Sequence, residues 1–346
     1  MKIQGREIGV SHPPFVIAEM SANHNGDIES AFEIISRAKQ AGADAVKLQT
    51  YRADTITINS NAEEFQIRGG LWGGQTLYQL YQEAHTPWEW HSQLFEYARK
   101  SDIIIFSSPF DTTAVDLLED LNAPAYKIAS FEIVDIPLIK YAASTGKPLI
   151  ISTGMANIQE IQEAIDAAQG AGCKELAILH CVSGYPAPAS DYNLQTIPDM
   201  IHRFGTVTGL SDHTLDNTTA ITSVALGASI IEKHFTLDRR RGGVDDSFSL
   251  EPHELAALCQ GVKTSWEALG KVNYSLKTSE EANLKYRRSL YFVQDLPAGA
   301  LITKDSIKSI RPGYGLSPKY FDSVIGKKLS KTVRWGQPLT WDLFKE

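Results

Sequence analysis

The sequence has no apolar run of the roughly 18–20 residues that a membrane-spanning helix needs, and no signal-peptide pattern at its start. A soluble, cytoplasmic protein with no membrane partner is therefore expected. Cysteine is scarce. Cys173, Cys181 and Cys259 stand alone, without CxxC spacing, and suggest no disulfide framework. Positive charge is in deficit, with 33 Lys and Arg against 41 Asp and Glu and a net charge of −8. That balance argues against nucleic acid or an anionic membrane as partner, while leaving room for a small anion held by local cations. No GxGxxG follows the first predicted strand, which counts against an open dinucleotide-binding sheet.

What is present is an ordinary globular composition, 43% hydrophobic and 21% charged, in 346 residues. That length suits one large domain and one small one. Short β-branched runs recur at 15–19, 45–49, 103–107, 125–129, 148–152, 176–180, 206–210 and 229–233. Helix-period segments such as 28–40, 88–100, 158–169 and 215–226 lie between them. Continuous apolar strands joined by helices indicate a parallel sheet buried on both faces. Eight such units over residues 1–270 predict a (β/α)8 TIM barrel. The insertion 51–86 is too long for a plain loop and, with its GGLWGG at 69–74, is expected to act as a lid. Residues 271–288 read as a linker. Residues 289–346, with short strands and turns, read as a small, mostly β domain.

The stretch TGLSDHTLDNTTAITSVALGASIIEKH, 208–234, reads as strand, helix, strand. It sets His213 and His234 just past the ends of neighbouring parallel strands, on one edge of the sheet. Two imidazoles there can share a divalent metal with positions open for water or substrate. A capping histidine and an unrelated packed one is the alternative.

In a barrel the carboxyl ends of the strands make the active site. Here they carry Glu19, Ser21, Asn23 and His24; Lys47 and Gln49, two apart and so on one face; Ser107 and Ser108; Lys127, Ser130 and Glu132; Ser152; His180, Ser183 and Tyr185; Ser211 and His213; Lys233 and His234. Singly, a lysine can snorkel, a serine can cap a helix and a glutamate can decorate a rim. Three lysines in apolar strand sequence (AVKLQ, AYKIAS, IIEKH) each require an anion or carboxylate beside them. Lysines, hydroxyls and the N–H groups of glycine turns together make a phosphate site. The residues thus predict a metal-assisted enzyme for a phosphorylated or carboxylated small molecule.

The segments AEMSANHNGD, GADAVKLQTY, SSPFD, YKIASFE, ISTGMA, GLSDHT and IEKHFTLD, in that order, resemble the sialic acid synthase family. The tail RRSLYFVQDLPAGALIT with SIRPGYGLSP is similar to the antifreeze-like (SAF) domain that these enzymes carry. The resemblance implies that C3 of phosphoenolpyruvate attacks the aldehyde of an open-chain acetamido-deoxyhexose. Water then adds at C2, and phosphate leaves with C–O cleavage. It implies Mn2+ or Mg2+ on His213 and His234, and phosphoenolpyruvate held by Lys127, Ser130, Ser152 and Ser211. Glu132 would be the general base, and Glu19, Lys47, Gln49, Tyr185 and Asp245 would line the sugar site. Arg311 would reach the substrate's acyl group from the partner of a domain-swapped homodimer.

The insertion at 65–91 and the GYGLSPKY ending at 313–320 are similar to the branch of that family whose sugar is 2,4-diacetamido-2,4,6-trideoxy-L-altrose. One departure agrees with this. Ser183 stands two residues after His180-Cys181, where N-acetylneuraminate synthases have Asn. A hydroxyl cannot offer an amide's paired donor and acceptor, which suits a sugar other than N-acetylmannosamine. The legionaminic precursor remains an alternative sugar. Two further alternatives are a non-catalytic sugar-binding homologue and a histidine-metal aldolase, the latter disfavoured by the SAF-like tail.

Overall fold

The computed structural model describes residues 1–344. Two compact units divide between Gly270 and Lys271.

The first unit is a closed barrel of eight parallel strands. They are β1 (Phe15–Glu19), β2 (Ala45–Thr50), β3 (Ile104–Pro109), β4 (Tyr126–Ile128), β5 (Leu149–Ser152), β6 (Leu176–Cys181), β7 (Val207–Ser211) and β8 (Ile230–His234). Pairing runs in sequence order and closes through β8 against β1, where Ile230 faces Phe15 and His234 faces Glu19. Each strand is followed by a helix: α1 (Ile28–Ala41), α2 (His91–Lys100), α3 (Thr112–Asp120), α4 (Ile136–Ser144), α5 (Ile158–Gly170), α6 (Thr196–Phe204), α7 (Thr218–Ala225) and α8 (Pro252–Leu269). Local signals fix several boundaries. Asp27 caps α1 by accepting from the N–H groups of Glu29 and Ser30, and Gly42 ends it at φ 93°, a conformation that glycine adopts without strain.

Alternation along the strands creates two cores. Val16, Ala18, Val46 and Leu48 point outward and join the layer packed under the helices. Phe15, Ile17, Ala45, Phe106, Ala125, Ile150, Ala177, Leu179 and Ile230 point inward. Ile3 and Ile8 join this inner cluster, next to a short hairpin that pairs Lys2–Ile3 with Arg6–Glu7. Filled to this level, the barrel is a packed core and not a channel. The same inward columns continue into Glu19, Lys47, Ser108, Lys127, Ser152, Cys181, Ser211 and Glu232, so a polar layer stands on an apolar plug.

The insertion at 51–86 has structure of its own. It holds short helices at Ala53–Ile56 and Leu77–Ala84, the second opened by a Thr76 capping box. Between them a hairpin is pinned by a Gln66–Thr76 bridge and by the Ile67 N–H bond to Gln75.

The second unit begins with short helical turns at Thr278–Glu281 and Leu284–Tyr286. Antiparallel strands β9 (Ser289–Phe292) and β10 (Ile307–Ile310) follow, with bridges Leu296–Val333 and Leu301–Lys328. Leu290, Phe292, Ile302, Ile307, Val324 and Leu329 form its own core. Among the described residues, no helix is long and apolar enough to cross a membrane.

Candidate active site

The polar layer is a buried network of two lysines and two glutamates. Lys47 Nζ lies 2.8 Å from Glu19 Oε2 and 3.7 Å from Glu232 Oε1. Lys127 Nζ lies 3.4 Å from the same Glu232 oxygen. Ser211 donates to Glu232 at 3.2 Å, and Lys47 donates to Ser108 at 3.1 Å. Gln49 Nε2 donates to Glu19 Oε1 at 2.9 Å and to Ser21 Oγ at 3.0 Å, and Ser21 donates on to Asp245.

Charge sharing in this network is uneven. Burial alone would depress Lys47, but two carboxylates beside it hold its pKa above the usual value. Lys127 is depressed, because burial dominates and it has only Glu232 in contact, with Lys47 opposing it. Burial raises Glu19 and Asp245. It pushes on Glu232 in the same sense, and the two lysines overcome it. Lys127 is therefore the cation with most to gain from an added anion.

Beside Lys127, the turns after β4 and β5 bring hydroxyls onto a glycine. The Gly154 N–H donates to Ser130 Oγ at 3.1 Å, and Ser152 Oγ is buried without a partner. A side chain at 154 would run into Ser183 Oγ and come within 2.8 Å of Ser130 Oγ, so only glycine leaves these hydroxyls in place. Glu132 closes the 3-10 turn that starts at Ser130. Burial pushes its carboxyl up to about 7, and its Oε2 is buried and unpartnered. Glu232 Oε2 and the His234 Nδ1 likewise lack hydrogen bonds. Buried orphans are normally rare. Those of Glu132, Ser152, Glu232 and His234 lie at the carboxyl ends of the strands.

His213 and His234 stand together, ring centres 5.4 Å apart. The His213 Nδ1 is 2.8 Å from the Val182 carbonyl, and its backbone N–H donates to Tyr192 at 2.6 Å. Donation from Nδ1 to a carbonyl leaves Nε2 free as a ligand, the usual second-sphere arrangement of metal-binding imidazoles. Burial first, then neighbouring cations, keep His234 well below the usual value and hence neutral. Burial lowers His213 too, but contacts with Cys181 and Val182 outweigh it and raise the pKa. Among the described residues, no three His, Cys, Asp or Glu converge as a cage. The pair fits a metal that takes its remaining ligands from water or substrate. Aromatic rings surround it: Tyr185 lies 4.3 Å from His213, and Phe248 lies 5.0 Å from His234.

The predicted residues thus sit in three adjoining groups: Glu19, Lys47, Gln49, Asp245, Lys127 and Ser211 in the network; Ser130, Ser152, Ser183 and Glu132 around Gly154; and Tyr185 with the histidines. Arg311 is exposed at the end of β10 in the second unit. Lys233 departs from the expectation of three site lysines. It alternates with Glu232 and His234 and points outward, where it bonds Asp212 at 2.9 Å and the carbonyls of Thr214 and Asp216 at 2.7 Å each. Those bonds hold residues 212–216 as a loop, so α7 starts at Thr218 and not near 215. Glu232 was missed by sequence reading, although its position two before His234 on one strand signals a shared face.

A family model described as the NeuB family matches residues 34–274, and one described as the SAF domain matches 287–345. The chain belongs to the NeuB family of sialic acid synthases. This family member is 44% identical to a pseudaminic acid synthase of Helicobacter pylori over 95% of its own length and 97% of the relative's. It is 36% identical to an N,N'-diacetyllegionaminic acid synthase of Legionella pneumophila, over 99% and 98%. It matches the crystal structure of N-acetylneuraminic acid (sialic acid) synthetase from Leptospira borgpetersenii, in complex with citrate, with TM-score 0.73 and 32% identity over 83% of this chain and 95% of that one.

Proposed function

We propose that this NeuB-family chain condenses phosphoenolpyruvate with 2,4-diacetamido-2,4,6-trideoxy-L-altrose to give pseudaminic acid and phosphate. The observation that carries the reading is the buried Glu19–Lys47–Glu232–Lys127 network with unpartnered acceptors around it, in a chain more similar to a pseudaminic than to a legionaminic acid synthase.

Lys127, Ser130, Ser152 and Ser211 hold the phosphate and carboxylate of phosphoenolpyruvate. Its C3 forms the new bond to the aldehyde carbon, and the aldehyde oxygen takes up a proton to become a hydroxyl. Developing positive charge at C2 is stabilised by the carboxylates of Glu19 and Glu232, fixed before the reaction begins. Glu132, with a pKa of about 7, takes a proton from the water that adds at C2. The C2–O bond to phosphate then breaks, the C2 hydroxyl passes its proton to the departing phosphate, and a 2-keto acid remains; the proton accepted by Glu132 balances the one taken up by the aldehyde oxygen. Mn2+ or Mg2+ on His213 and His234 would supply Lewis acidity at the aldehyde oxygen. Gln49, Tyr185, Asp245 and Ser183 border the sugar. The active unit is a domain-swapped homodimer in which Arg311 serves the partner's barrel, and the protein works in the cytoplasm.

The test is phosphate release from phosphoenolpyruvate with Mn2+ and each of three sugars: the altrose-configured compound, its legionaminic-type epimer and N-acetylmannosamine. Turnover with the first alone is expected. A preference for either of the others would move the chain to a different branch, and no release at all would overturn the condensation.

A further inference from the structure

The insertion carries a feature that the proposed chemistry leaves unused. Its hairpin narrows to the GGLWGG tip, in which Gly69, Gly70 and Gly74 take positive φ, and a side chain at Gly73 would lie 2.9 Å from the Gly69 backbone. Only glycine tolerates such a tight crossing. The fold projects Trp72. Its Nε1–H donates to the Val244 carbonyl at 2.9 Å, and its ring centre lies 5.7 Å from that of Tyr185. Both contacts land on the sugar side of the proposed site. Val244 precedes Asp245, and Tyr185 bridges to His213 at 4.3 Å and to Phe248 at 5.3 Å. Trp72 therefore extends a run of aromatic rings outward from the two histidines, on the side where Val244 leads into Asp245.

We infer that Trp72 is a specificity-determining residue, an aromatic wall that selects sugars with an apolar edge, namely a 6-deoxy methyl and N-acetyl methyl groups. This rests on the proposed condensation and names what its sugar must look like. An indole face gains by covering methyl groups and loses where a hydroxyl must be stripped of water. A wall of this kind discriminates against one added hydroxyl by roughly 10- to 100-fold. It has no reason to favour one ring epimer over another.

The experiment compares wild type, Trp72→Ala and Trp72→Phe, measuring kcat/KM for the altrose-configured sugar, its legionaminic-type epimer and N-acetylmannosamine, and KM for phosphoenolpyruvate. Trp72→Ala is expected to lose about tenfold or more in kcat/KM with 6-deoxy sugars and to narrow the gap to N-acetylmannosamine. KM for phosphoenolpyruvate should stay put. Trp72→Phe, which keeps a ring without the Val244 bond, should recover most of the selectivity. Wild-type preference for the legionaminic-type epimer would overturn the altrose assignment and leave the wall intact. Wild-type preference for N-acetylmannosamine, or equal losses with every sugar and with phosphoenolpyruvate, would overturn the wall. Silence with all three sugars removes both.

Discussion

Lys127 Nζ meets one carboxylate oxygen, Glu232 Oε1, at 3.4 Å, and shares it with Lys47. All three side chains are buried, so neither lysine has water to fall back on. Breaking a buried pair by removing one partner costs far more than the pair contributes, because a charge is left uncompensated. Glu232→Gln should therefore lower stability by roughly 3 kcal/mol and cut turnover by at least two orders of magnitude. Denaturant unfolding with parallel phosphate-release assays checks both. Unchanged stability would show that the two ammonium groups do not depend on Glu232.

Glu132 gives the site a pH signature. Its carboxyl is pushed up to about 7 by burial, so below that pH it holds a proton and cannot accept one from water. kcat/KM should rise tenfold per pH unit on the acid side and level off above about 7. Glu132→Gln should lose this limb and drop kcat by roughly 10²–10⁴. Stability moves the other way. A carboxyl raised in the fold contributes stability that is complete below its unfolded value of 4.5 and is lost as pH rises through about 7. The Gln variant should thus be more stable than wild type at pH 8 and no different at pH 4. An acid limb surviving in the variant would assign the base elsewhere.

The barrel was legible because its strands are continuous apolar runs, and all eight fall within a few residues of the predicted positions. Lys47 and Gln49 were readable as same-face neighbours from their spacing alone. The lysine of IIEKH was misassigned, because strand alternation places a residue next to His234 on the opposite face. The parity of Glu232 and His234 turns Lys233 outward to Asp212. The hydroxyl cluster at Gly154 joins residues from 130, 154 and 183, a contact between loops that no local pattern encodes. The reach of Trp72 to Val244 spans 172 positions and was equally invisible.

Gly154 offers a test of the hydroxyl cluster. In Gly154→Ala the new methyl must displace Ser183 and Ser130, so the loss should appear in substrate binding. KM for phosphoenolpyruvate should rise at least tenfold. Stability should fall by about 1–3 kcal/mol, as for overpacking in general. Isothermal titration with phosphoenolpyruvate separates the two effects. Unchanged affinity would remove the Ser130 turn from the phosphate site.

Arg311 tests the swapped dimer. Arg311→Ala should raise KM for the sugar while leaving that for phosphoenolpyruvate close to wild type. Mixing it with the barrel-inactive Glu132→Gln variant, under conditions that exchange subunits, should restore activity, because one of the mixed sites is then whole. Absence of rescue, with exchange verified by mass, would argue that Arg311 does not act in trans.

The histidine pair makes the last prediction. His234 is kept neutral by burial, and its Nδ1 has no partner, so nothing in the chain compensates for removing a bound ion. Chelation should abolish turnover, and Mn2+ or Mg2+ should restore it. Binding to the folded state alone also raises stability, by about 2.7 kcal/mol at a hundredfold excess over Kd. Wild type should therefore melt at a higher temperature with Mn2+, while His213→Ala and His234→Ala, folded in its absence, should show no shift. The melting experiment reads metal binding without reference to activity. A Mn2+-dependent shift that survives in both variants would place the ion away from this pair, and turnover that withstands chelation would remove the metal from the reaction.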